Sequence, residues 1–192
     1  MTRKREFNEN ETLKKIMELF WLQGYEKTSM NELVNYTKVH RKSIYDTFGN
    51  KHDLFVKALE YYRIKIGKQL LQQIANEKTI LEKIKALFNY NNINNGEKSN
   101  GCLIVNASVE LSLHDKYIQE LVQSSFDETE KIIYQLLQQG QMSGEFSPTL
   151  DLDEMSQFIH NALIGVRVQL KTLENKEKLK RIIDTTLKNL IK

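Results

Sequence analysis

Proline occurs once and glycine eight times in 192 residues, so this chain has few means of breaking a helix. A single cysteine, Cys102, excludes an intrachain disulfide and fits a reducing compartment. No window approaches the roughly 18 apolar residues that span a bilayer, and MTRKREFNENE lacks the apolar run of a signal peptide. The expectation is a cytoplasmic protein with no membrane partner. Catalytic signatures are absent too: there is no phosphate-cradling glycine loop, no G-x-S-x-G, no H-E-x-x-H and no cysteine cluster. Glu110 and His114 stand four apart, but two ligands fall short of a metal site. Neither an enzyme nor a cofactor is expected.

Net charge is nearly absent as well, at +3, but it is not spread evenly. Residues 1 to 51 hold ten Lys or Arg against seven Asp or Glu, which leaves eighteen of each sign in the remainder. The whole excess sits in one segment, as contacts to nucleic-acid phosphates require. Within it, Ser29 and Glu32 make a capping box, and Met30, Leu33 and Val34 share one face of the helix that follows. Thr37, Lys38 and Val39 interrupt the period. It resumes from His40, with Ile44 and Phe48 inward and Arg41, Lys42, Ser43 and Tyr45 outward. Two short helices and a tight turn, over about residues 28–48, form a helix-turn-helix whose second helix fits a DNA major groove.

The remaining chain also reads as helices. Asn8 with Glu11 caps one that carries Leu13, Ile16, Met17 and Phe20 and stops at Gly24, preceded by a loose basic arm of Arg3, Lys4 and Arg5. Asn50 with Asp53 caps a long helix on which Phe55, Leu59, Tyr62, Ile66, Leu70 and Ile74 repeat, enough to reach ~35 Å into the second half. Further helices are expected from Thr79 to Ile93, Gly101 to Leu113, Asp115 to Met142, Asp151 through Leu170, and Leu179 to Leu190. The Gly101 helix is apolar on most sides and should be buried; Asn91 to Asn100 should be a polar loop.

Thr28, Ser29, Leu33, Val39, Ile44, Tyr45, Phe48, Lys51 and Leu54 fall where the tetracycline-repressor (TetR) family has T-[TS], I-A, G-V-S and L-Y-x-Y-F-x-[SN]-K-x-x-L. The chain therefore resembles that family, and its GCLIVNASVEL resembles a G-C-L-x-x-N-x-x-x-E-L segment of one branch. Lys38 replaces the usual turn glycine, His40 the usual Ser or Thr cap, and Thr47 a common aromatic. The resemblance implies an all-α fold of about nine helices: a three-helix DNA-binding domain over 5–65 and a bundle over 66–192 for effector binding and dimerisation. It implies a bacterial transcriptional regulator that binds a double-stranded DNA operator as a homodimer through its last two helices, with repression relieved by an unknown small-molecule effector.

On this reading Ser29, Asn31, His40, Arg41, Lys42, Ser43, Tyr45 and Lys51 meet DNA. Tyr45 and Lys51 hold phosphates, Arg41 reads guanine, and Ser29 and Asn31 approach the adjacent backbone. An effector between the long fourth helix and its neighbours would touch Tyr62, Ile66, Phe88, Asn92, Cys102 and Asn106. Cys102 is either a small buried apolar residue or, at a helix N-terminus, a reactive thiol. The dimer faces are expected to include Phe158, Ala162, Val166, Ile183, Leu187 and Leu190. Two other readings stay open: a DNA-binding dimer without small-molecule input, and a helical enzyme or carrier with a degenerate helix-turn-helix.

Overall fold

Nine α-helices and no strand make up the regular structure among the residues that the computed structural model describes, which are 7–89, 100–172, 176–188 and 190. In chain order they are α1 (Glu9–Gln23), α2 (Met30–Thr37), α3 (Arg41–Phe48), α4 (Lys51–Asn76), α5 (Ile80–Asn89), α6 (Leu103–Glu110), α7 (Lys116–Met142), α8 (Leu152–Gln169) and α9 (Lys176–Lys188). Local chemistry sets most starts. Asn8, Ser29, Asn50, Asp115 and Asp151 each accept a backbone N–H from the first turn, worth ~1 kcal/mol apiece. The boxes Ser29–Glu32 and Asn50–Asp53 are reciprocal. Lys38 closes α2 in the left-handed region, at φ 60° and ψ 21°. That lets Val39 turn inward.

Two apolar clusters hold the helices together. The first joins Ile16, Phe20, Leu33, Ile44 and Phe48 to Phe55 and Tyr62 of α4, and continues through Cys102 to Ala107 and on to Ile118 and Val122. Aromatic rings lock its centre: Phe20 meets Phe55 edge-on at 5.0 Å, and Trp21 meets Tyr62 at 5.1 Å. The second cluster joins Leu70 and Ile74 to α5, the later turns of α7, α8 and α9. Helices α4 and α7 run through both, so the apolar clusters divide the chain differently from halves at 5–65 and 66–192.

Two expectations need correction. The buried helix foreseen from Gly101 to Leu113 is shorter, because Leu111 leaves helical geometry and residues 111–114 turn toward Asp115. Val109 and Leu113 are exposed, at 79% and 88%. Of the six residues expected on the dimer face, Val166, Ile183, Leu187 and Leu190 belong to the chain's own second cluster, and only Phe158 and Ala162 keep exposed surface. An amphipathic stripe shows that a face is covered, not by what. The residues expected around an effector lie along both clusters: Phe88 belongs to the second, Tyr62 and Cys102 to the first, with Ile66 packed against it. Asn92, the residues of α5 expected beyond Asn89, the loop from Asn91 to Ser99 and the arm at Arg3 to Arg5 lie outside the described residues.

Candidate nucleic-acid interface

Helix α3 is an eight-residue rod anchored on one side only. Ile44 and Phe48 are buried, while Arg41, Lys42 and Tyr45 are exposed and Ser43 is half-buried. His40 caps the helix through Nδ1, which accepts from the Lys42 N–H at 3.4 Å, so an imidazole does what a serine hydroxyl does elsewhere. At the other end Lys57 Nζ donates to the Phe48 carbonyl at 2.8 Å, and Gly49 turns the chain with φ 89°. A Cβ there would lie 2.4 Å from the Asp53 carboxylate, so glycine is required. Sequence reading passes over Lys57; a lysine shortly past a recognition helix's C-terminus is its signal.

The exposed polar groups form three small sets. Arg41 Nη1 donates to Asn31 Oδ1 of α2 at 3.2 Å, and its guanidinium lies 5.7 Å from the centre of the Tyr45 ring. Ser29 both donates its hydroxyl to Glu32 (2.7 Å) and receives the Glu32 N–H (3.2 Å). The Ser29 N–H, which donates to the Glu32 carboxylate at 2.8 Å, and then the Ser29 hydroxyl hold that carboxyl below its ordinary range, and Lys51 is near enough to add to the effect. Lys51 itself rests over the Tyr25 ring at 4.3 Å and donates to the Glu26 carbonyl at 3.4 Å. Its ammonium still has donors to spare. The amides beside it are less free than the sequence suggests, because Asn50 Oδ1 already accepts from the N–H groups of His52 and Asp53.

Three polar ties bind this domain to the region around α6. Trp21 Nε1 donates to the Gly101 carbonyl at 3.2 Å. Glu110, at the far end of α6, accepts from the Tyr25 N–H at 3.0 Å and the Glu26 N–H at 2.9 Å. His52 bonds the Asp115 carboxylate, whose other oxygen caps α7 through the Ile118 N–H. That backbone bond first, and His52 second, keep the Asp115 carboxyl low. Sequence reading weighs Glu110 only as a metal ligand, and no local pattern announces a partner 85 residues away.

Among the expected effector residues, Tyr62 is the most informative. It is 1% exposed, and its hydroxyl makes no well-formed hydrogen bond, although the Cys102 thiol and the Leu103 backbone N–H lie close to it. Burial above all pushes the phenol well above its ordinary range. Asn106 is engaged at both ends, donating to the Asn100 carbonyl and accepting from Lys171 Nζ at 3.1 Å. Among the described residues no group of three or more His, Cys, Asp or Glu could hold a metal ion, and no helix is long and apolar enough to cross a membrane.

A helix-turn-helix with a solvent-facing basic second helix, set on a larger helical bundle, defines the class of one-component DNA-binding regulators. Comparison with known proteins agrees. Residues 13–58 match the family "Bacterial regulatory proteins, tetR family", and residues 81–186 match "Tetracyclin repressor-like, C-terminal domain". The chain belongs to the TetR family and is a DNA-binding transcriptional regulator. Among curated proteins it is similar to the HTH-type transcriptional repressor ComR of Escherichia coli, 29% identical over 97% of this chain and 90% of that one. It is also similar to YezE of Bacillus subtilis, an HTH-type transcriptional regulator, 25% identical over 97% and 98% of the two chains. A solved structure of a cysteine mutant of the TetR-family regulator CifR, complexed with 26-bp double-strand operator DNA, shares the fold. Its TM-score is 0.83, with 22% identity over 98% of this chain and 99% of that one.

Proposed function

We propose that this protein is a homodimeric repressor of a palindromic operator, released when a small molecule enters the helices behind the DNA-binding domain. The observation that carries the reading is a pair of exposed basic groups held in place: Arg41 of α3 between Asn31 and Tyr45, and Lys51 at the start of α4 over the Tyr25 ring. Lys51 and Tyr45 hold phosphates, Arg41 reads a base, and Ser29, His40, Lys42 and Ser43 border them. Repression and operator binding are supported by ComR, named a repressor, and by CifR, crystallised on its operator. A symmetric dimer follows from the size of one α3, which covers only half a site.

In this reading the effector sits beside Tyr62 and Ile66 of α4, Cys102 just before α6 and Asn106 within it. What supports this is the buried Tyr62 hydroxyl, a polar group left unsatisfied at a cost of ~1–3 kcal/mol that a ligand acceptor would offset. The test of the DNA assignment is the double variant Tyr45→Phe, Lys51→Ala. Its operator affinity should fall severely and by a similar factor on all sequences, with a shallower dependence on salt for the lysine change alone. Wild-type affinity at several salt concentrations would remove both residues from the interface.

A further inference from the structure

We infer that Asn31 is a positioning residue for base reading: it holds the Arg41 guanidinium from across the turn, so that the arginine meets the major groove already oriented. The inference rests on the base-reading role proposed for Arg41, and it replaces the sequence expectation that Asn31 touches the DNA backbone. Arg41 opens α3, where the positive end of the helix dipole gives a cation no local reason to stay. Yet its side chain is gripped on two sides. Asn31, in the first turn of α2, offers Oδ1 to Nη1 at 3.2 Å, and Tyr45, one turn further along α3, places its ring 5.7 Å from the guanidinium carbon.

The acceptor must be the amide oxygen, because a guanidinium only donates. One donor is used and four remain, among them pairs that lie side by side and suit the two acceptors of guanine. Holding the fork in advance matters because a free arginine loses most of its rotamer freedom on binding, and that loss weakens discrimination. Asn31 is exposed, and among the described residues its side chain has no other hydrogen bond, so a purely structural need for it within α2 is not evident.

The experiment is selection from a random duplex DNA library with the full-length protein and its variants Arg41→Ala, Asn31→Ala, Asn31→Asp and the double alanine. Melting temperatures within a few degrees of wild type establish folding; both sites are exposed. Expected is a loss of guanine preference at one position of the site in Arg41→Ala. The same position should relax in Asn31→Ala, by up to about tenfold. The double variant should match Arg41→Ala alone, because the two act as one unit. Asn31→Asp keeps an acceptor oxygen and should restore the preference, with weaker binding to all sequences from its added negative charge. Asn31→Ala that binds every sequence more weakly with an unchanged preference is a phosphate contact, which overturns the positioning role and leaves Arg41 as reader. An unchanged preference in Arg41→Ala overturns the base-reading assignment itself, and Asn31 with it.

Discussion

Single residues carry two kinds of information in this chain, and only one kind is local. Ser29 with Glu32, Asn50 with Asp53 and Asp151 with Glu154 could be read from sequence because a cap and its partner are three residues apart. Lys38 was legible through the resemblance instead: it stands where the family has its turn glycine, and it takes the left-handed conformation. The Tyr62 hydroxyl was not legible. A tyrosine in an apolar helical stripe does not disclose whether its O–H finds a partner, and here it makes no well-formed hydrogen bond, with only the Cys102 thiol and the Leu103 N–H nearby. Tyr62→Phe therefore removes an unsatisfied buried group while keeping the ring against Trp21. The variant should be as stable as wild type or more so, by up to ~1 kcal/mol, which raises the melting temperature by roughly 2–4 °C. It should also need more effector to leave the operator, as binding titrations in rising effector concentration would show. A lower melting temperature would mean that the hydroxyl is satisfied in solution.

At the scale of elements, α4 alone was expected to link the two halves, and its 26 residues, ~39 Å long, do reach from Lys51 to the second cluster. The structure adds α6. Short as it is, the region around it is tied to the DNA-binding domain at Gly101, Glu110 and Asp115. Glu110 stands out because a carboxylate at a helix C-terminus opposes the dipole, so its place is explained by the Tyr25 and Glu26 amides it receives. Gly24 leaves room for it: a Cβ there would lie 3.1 Å from the carboxylate. The same turn is the bed of Lys51, through the Tyr25 ring and the Glu26 carbonyl. Glu110→Ala should then loosen that bed, raising amide exchange at Tyr25 and Glu26 and destabilising the fold by ~1–3 kcal/mol. Operator affinity should fall severalfold with the base preference unchanged, since Arg41 is held elsewhere. Unaltered exchange at both amides would mean that α6 does not hold the turn. Periodicity found α6 but misjudged its surroundings, because hydrophobicity alone does not separate a helix enclosed by the bundle from one with an open side.

For the whole molecule, the proposed dimer needs a surface for a second copy. Of the residues expected there on the last two helices, Val166, Ile183, Leu187 and Leu190 complete the chain's own core instead. What α8 leaves outward keeps Phe158, at 49% exposure, and Ala162 from that expectation and adds Gly165 and Val168, the last at 48%. A Cβ at Gly165 would meet nothing within 4 Å, so two such helices can approach closely there. Val168 also lines a groove of about 490 Å³ with Leu22 and Val109, which are 64% and 79% exposed. Covering Phe158, Val168, Leu22 and Val109, which all stand exposed, favours association. Phe158→Glu should therefore give a folded monomer in sedimentation, whereas Ile183→Glu buries an unpaired charge and should unfold the chain instead of dissociating it. The monomer should also bind operator DNA more weakly, and the logarithm of its affinity should fall with the logarithm of salt at about half the wild-type slope. One copy neutralises half the phosphates that two neutralise. A Phe158→Glu protein that remains a dimer, with the full salt slope, would move the contact off this face of α8.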